Sequence, residues 1–310
     1  MNNHFLISYD AAGVALEAIE PAVIAGLGPD VLFLAHGWLN DRQTAAQLFE
    51  SYAALLAPMP VIGVLWPSLP KLLGSNAQGV VKATWQASSY YAMKERAGMV
   101  GAAGLAPLLC RLYFDYPGLR IHLAGHSFGA RLVTAAAAAQ PGPSIQSMTL
   151  IQAAFSQYAF SYKVPGYAKS GAFRTILDHS LVRGPILVTH SCRDIAVGAA
   201  YPIASLLRRQ NASRIGGATD PYGGLGRNGA QALERGECAS VRIGDPLPLR
   251  FPVININCDS LIRSHTDIHH PEIAAAIRAA AAGPYPPRPA VPALQRPSPV
   301  ADEFLGKSSP

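Results

Sequence analysis

Short apolar-rich runs punctuate the chain at 31–35, 61–65, 119–124, 147–153, 185–190 and 252–257. Each is bounded by turn-forming residues, and such runs read as strands covered on both faces of a parallel sheet. Between them the apolar spacing changes to that of helices. In 41–57, Ala45, Leu48, Phe49, Tyr52, Leu55 and Leu56 share one face. Asp41 is placed to cap that helix, and Pro58 and Pro60 to stop it. A long helix is predicted over 88–114, broken near the glycines of 101–104. Further helices are predicted at 130–140, 201–209 and 271–282, the last opened by Pro271 and closed by Gly283. Phe5 to Tyr9 predicts a short strand, with a hairpin partner running through Ile19, and 26–30 a turn cluster.

Strands alternating with helices from Val31 onward predict an α/β chain, a mainly parallel sheet with helices on both faces. The expected organisation is one domain over 1–283. Irregular, lid-like insertions are expected at about 66–87, 154–180 and 213–249, and a proline-rich disordered tail over 284–310.

Composition narrows the function classes. Half of the 310 residues are hydrophobic, enough for a sizeable core. The net charge of +6 is scattered, without a basic run, so no nucleic-acid partner is expected. The four cysteines form no CxxC pair and the first residues show no signal-peptide pattern, which predicts reduced thiols and a cytoplasmic location. No integral membrane segment is expected.

The chemistry centres on Gly125-His126-Ser127-Phe128-Gly129. A strand before it and an alanine-rich helix after it supply the strand–turn–helix context of a nucleophile elbow. There the serine stands on a sharp turn, and the small residues two before and two after it keep strand and helix backbones apart. Ser127, His36-Gly37-Trp38, Asp194 and His265 all follow predicted strand ends. They therefore fall on the edge of a parallel sheet where ligands bind. A serine hydroxyl needs a base, and the base an acid to orient it.

With the elbow and the order Ser127, Asp194, His265, the chain resembles the α/β-hydrolase superfamily over roughly 31–282. The wording around Asp194, 224–229 and His265 is similar to that of uncharacterised bacterial members. The resemblance implies Ser127 as nucleophile, His265 as base, ahead of His269 and His270, and Asp194 as acid, with Asp259 as its rival. It implies an oxyanion hole from the backbone N–H groups of Phe128 and Trp38. His36 and Gly37 shape the second donor's loop, and His126 is a packing neighbour in the elbow. The expected activity is cleavage of a small carboxylic ester through an acyl-enzyme. Thioesterase, acyltransferase, lipase and amidase chemistry stay open on the same triad, as does a non-catalytic binding module. No cofactor is expected. The cluster at His265, Asp267, His269 and His270 lacks zinc-motif spacing, so no metal is expected. Gly224-x-Gly226-x-x-Gly229 does not follow a strand, which sets aside a dinucleotide reading.

Overall fold

The computed structural model describes residues 4–69, 80–195, 197 and 223–284. The expected helix 201–209, the stretches 70–79 and 213–222, and the tail 285–310 lie outside the described residues.

A nine-stranded sheet organises the chain, with helices on both faces. In chain order its elements are β1 (His4–Tyr9), β2 (Ala15–Glu17), α1 (Pro21–Gly26), β3 (Asp30–Ala35), α2 (Arg42–Leu56), β4 (Val61–Leu65) and α3 (Val80–Met99). A π-helical turn (Val100–Leu105) leads into α4 (Ala106–Asp115). Then come β5 (Arg120–His126), α5 (Phe128–Ala138), β6 (Ile145–Ile151), α6 (Arg174–Asp178) and β7 (Ile186–His190). The last elements are α7 (Leu225–Asn228), β8 (Cys238–Arg242), β9 (Val253–Asn257) and α8 (Pro271–Ala281). The strands lie in the order β2-β1-β4-β3-β5-β6-β7-β9-β8. Among the described strands only β2 is antiparallel to its neighbour.

The continuous apolar runs conceal a period of two. In β3, Val31, Phe33 and Ala35 enter the core beneath α3, α4 and α5. Leu32 and Leu34 enter the opposite core, beneath α2 and α8. Both layers are fully buried, so both sets are apolar. Helix α2 carries the predicted face inward, and the Asp41 carboxylate accepts the Thr44 N–H at 2.8 Å. Such a cap contributes about 1 kcal/mol. The predicted break in the long helix is the π-helical turn. A side chain at Gly101 would run into the Leu132 carbonyl, so the glycine lets α5 approach closely. The run Tyr90–Asp115 is long and apolar enough to cross a bilayer, but half of its apolar window is buried inside the fold.

The structure differs from the expected elements at several points. The long helix begins at Val80, eight residues before the predicted start. Helix α1 was not foreseen, since six residues are too few to show a period; its one signal is Pro21 in the first turn. Within 213–249, read as irregular, β8 forms an edge strand parallel to β9. Its side chains are only partly covered, so it lacks the apolar run of an interior strand. Strand β6 ends at Ile151 rather than at 153, which frees Gln152 for another role. Of the aromatic run 155–167, Phe155, Tyr158 and Phe160 are core residues, whereas Tyr162 and Tyr167 are exposed.

The strand order sets the site. From β3 the chain moves outward to β4, then returns across β3 to β5. The loops after β3 and β5 therefore diverge, opening a crevice at the carboxyl edge between them.

Candidate active site

Ser127 stands on that crevice, between the end of β5 and the start of α5. Its backbone is in the left-handed half of conformational space, φ 57° and ψ −119°, an uncommon state for a residue with a side chain. The turn is held from both sides. The Ser127 N–H donates to the Ile151 carbonyl at 3.1 Å, and the Ser127 carbonyl accepts from Ala130 and Ala154, both at 3.2 Å. The flanking glycines are required by contact. A Cβ on Gly125 would meet the Gly129 backbone, and one on Gly129 would meet the carbonyls of Ala35 and His36.

His265 reaches the site from the loop between β9 and α8. Its Nε2 lies 2.8 Å from Ser127 Oγ, and its Nδ1 lies 2.8 Å from Asp194 Oδ2. A carboxylate only accepts, so Nδ1 carries the proton and Nε2 is left to accept the Ser127 O–H. Asp194 is wholly buried. Burial by itself raises the carboxyl's pKa. The His265 hydrogen bond and charge, the Val197 N–H at 3.0 Å and the Gln152 amide at 2.9 Å outweigh it and hold the pKa below the ordinary value. The side chain is thus anionic where it faces the imidazole.

The structure brings Ser127, His265 and Asp194 together and leaves Asp259 outside. Asp259 accepts the Cys192 N–H at 2.7 Å and braces the loop that presents Asp194. His270 pairs with Asp267, 2.9 Å away, and His269 lies against Tyr52. Among the described residues no group of three or more His, Cys, Asp or Glu side chains could hold a metal ion.

The loop after β3 lies directly beside the elbow. A Cβ on Gly37 would sit 3.1 Å from Ser127 Cβ and 2.8 Å from His126 Nδ1, so a larger residue would displace the serine. His36 is buried and fixes this loop. Its Nδ1–H donates to the Gly37 carbonyl at 3.0 Å, and its Nε2 accepts the Trp66 N–H at 3.2 Å. Trp66 Nε1–H returns a bond to the His36 carbonyl at 2.9 Å, and the two rings stack. Burial lowers the His36 pKa to about 4, so this ring is neutral near pH 7. Fixing the Gly37 carbonyl also fixes the Trp38 N–H, because both belong to one planar trans peptide. Neither the Trp38 nor the Phe128 N–H donates to another described residue. The Trp38 ring packs against Phe128 and Tyr90, 6.0 and 6.2 Å away between centroids.

Two residues contribute more than the sequence suggested. His126, read as a packing neighbour, donates Nε2–H to the His265 carbonyl at 2.9 Å. It ties the His265 loop to the elbow. Burial, then the neighbouring His265, push its pKa down to about 3, so it stays neutral. Gln152, at the end of β6, was not singled out; its amide donates to Asp194 Oδ2. The same rule that found Ser127 and Asp194, a polar residue just past a buried strand, applies to it. The Gly224–Gly229 segment supplies neighbours to this centre: the Gly226 carbonyl accepts from Gln152 at 2.8 Å and from the Ser191 N–H at 2.9 Å. Arg227 donates to the carbonyls of Cys192 and Asp194 and holds the Asp194 loop.

An open groove lined by Ala25, Pro29 and Asp115 to Leu119 lies beside the starts of β3 and β5, at the opposite end of the sheet from Ser127.

No protein-family model matches the chain, and no curated protein sequence matches it. Among solved structures, a Thermus thermophilus protein aligns at 17% identity and a TM-score of 0.38, over 82% of this chain and 88% of that one. The esterase domain of a Rhodothermus marinus protein aligns at 13% identity and a TM-score of 0.34, over 82% and 85%. A thioesterase of prodiginine biosynthesis from Streptomyces coelicolor aligns at 15% identity and a TM-score of 0.27, over 86% and 88%. Likenesses this loose assign no activity. The crevice of a mainly parallel sheet lies over the elbow, and residues in the order Ser127, Asp194, His265 meet at its edge: the chain has the fold of the α/β-hydrolase superfamily.

Proposed function

We propose that the protein is a serine hydrolase that cleaves a small carboxylic ester through an acyl-enzyme. The observation that carries this reading is the continuous relay from Ser127 Oγ to His265 Nε2 and from His265 Nδ1 to Asp194, 2.8 Å at each step. Ser127 Oγ attacks the ester carbonyl while His265 takes its proton. The imidazolium that forms faces the buried Asp194 carboxylate. The oxyanion is received by the N–H groups of Phe128 and Trp38; preorganised donors of this kind contribute about 3–4 kcal/mol each in comparable sites. His265 then protonates the leaving alkoxide. In the second half, water gives its proton to His265 and attacks the acyl carbonyl, and collapse returns the proton to Ser127 and releases the acid. No cofactor enters this sequence.

The test is hydrolysis of short p-nitrophenyl esters by wild type and Ser127→Ala. Turnover that disappears in the variant supports the reading, and undiminished turnover in a folded variant removes it. A parallel series of thioesters, amides and alcohol acceptors separates ester hydrolysis from the related acyl transfers.

A further inference from the structure

Gln152 is held in a costly conformation. Its φ is 45°, a left-handed state that a residue with a side chain rarely adopts, and it is fully buried just past β6. A strained, buried residue persists only where its surroundings over-determine it, and such residues gather at functional sites. Here the determinants are explicit. The Gln152 N–H donates to Thr189 Oγ1 at 3.1 Å, and Thr189 Oγ1–H donates back to Gln152 Oε1 at 3.1 Å. This exchange with β7 fixes which end of the amide is oxygen and which is nitrogen. The nitrogen is thereby turned toward Asp194 Oδ2 at 2.9 Å and the Gly226 carbonyl at 2.8 Å, so both of its protons are used.

Asp194 Oδ2 is also the oxygen that receives His265 Nδ1–H. The other oxygen, Oδ1, receives the Val197 N–H. Among the described residues, the groups bonded to the carboxylate are therefore one imidazole, one amide and one backbone N–H, with Arg227 directed to the Asp194 carbonyl instead. From this arrangement we infer that Gln152 is a positioning residue for the catalytic relay: it fixes the plane of the Asp194 carboxylate opposite His265. This rests on reading Ser127, His265 and Asp194 as the catalytic set. Gln152 touches no reacting atom. The Gly224–Gly229 segment gains a purpose from the same bond, since the Gly226 carbonyl takes the second amide proton.

The experiment compares Gln152→Met, which keeps length and removes both donors, with Gln152→Glu, which keeps shape and can donate only while protonated. Two readouts are followed from acid to neutral pH: kcat and KM for a p-nitrophenyl ester, and the downfield proton resonance of the imidazole N–H bonded to Asp194. Losing one donor to a charged acceptor lowers kcat by about tenfold with KM unchanged in Gln152→Met, at every pH. In Gln152→Glu the ratio of variant to wild-type kcat falls with rising pH, because two carboxylates in contact resist ionising together and the second charge removes the donor. The downfield resonance shifts in both variants. Two results overturn the inference: an unchanged resonance in Gln152→Met, or a Gln152→Glu activity that follows the wild-type pH profile. The resonance is read without turnover. A wild type that hydrolyses no ester yet shows the resonance shift in both variants would remove the proposed function and leave the positioning role standing.

Discussion

Replacing Asp194 by asparagine separates the acid that the sequence favoured from its rival, Asp259. Among the described residues Asp194 accepts three hydrogen bonds, two at Oδ2 from His265 and Gln152 and one at Oδ1 from Val197. An asparagine has one oxygen, so its amide must face a donor wherever it is placed. Turned toward Oδ1 it opposes one N–H; turned toward Oδ2 it opposes two. The first arrangement is therefore preferred, and His265 keeps its tautomer but loses the anion. The imidazolium then forms unpaired in a buried setting, which costs about 3–5 kcal/mol. At about 1.4 kcal/mol per decade this is two to four powers of ten in kcat. Asp259→Asn can keep its one oxygen on the Cys192 N–H and loses only the longer bond from the Asn257 amide, 3.3 Å, so it is expected to stay within about threefold of wild type. The assay is kcat and KM on a p-nitrophenyl ester for both variants, with circular dichroism to confirm folding. A folded Asp194→Asn enzyme with wild-type kcat, or a larger loss in Asp259→Asn, would refute the assignment of the acid.

Other consequences follow from the same contacts. His36 and His126 are buried and neutral, with pKa values lowered to about 4 and about 3. Unfolding lets each take up a proton below its ordinary value of about 6.5. Their contribution is therefore fully present above that value and is lost as pH falls from about 6.5 toward the folded values, at up to about 1.4 kcal/mol per pH unit for each ring. Urea unfolding at pH 7.5 and 5.0 checks this, and equal stability at both would contradict it. His126→Leu deletes the donor to the His265 carbonyl and should lower kcat about tenfold, whereas His126→Gln, which retains a donor, should recover most of it. Gly129→Ala places a methyl against the carbonyls of Ala35 and His36; the melting temperature should drop by several degrees, reflecting about 1–3 kcal/mol of overpacking or more.

What was legible in the sequence follows from how much each feature depends on local pattern. Interior strands such as β3 and β5 announce themselves because both faces are buried and every position tends to be apolar. Strand β8 lies at an edge with half-covered side chains, so its sequence carries no such run. The elbow was legible because its two glycines stand at a fixed local spacing around the serine, and Gly125 answers to the Gly129 backbone only four residues on. Gln152 was not. Its partners Thr189, Asp194 and Gly226 lie 37 to 74 residues away, and reading β6 two residues too long hid it inside a strand. His126 was noticed but under-read, since its partner is the backbone of His265, 139 residues on. Asp194 and Asp259 both follow strand ends, and only the fold shows that one faces an imidazole and the other a loop amide.

Trapping the intermediate tests the central claim most directly. Wild-type protein mixed with a p-nitrophenyl ester should release a burst of nitrophenol close to one equivalent, and rapid acid quenching should recover the acyl group on the peptide containing Ser127. Ser127→Ala should show neither burst nor adduct. Nitrophenol release without a burst or adduct at any pH, or an adduct on another residue, would contradict the account.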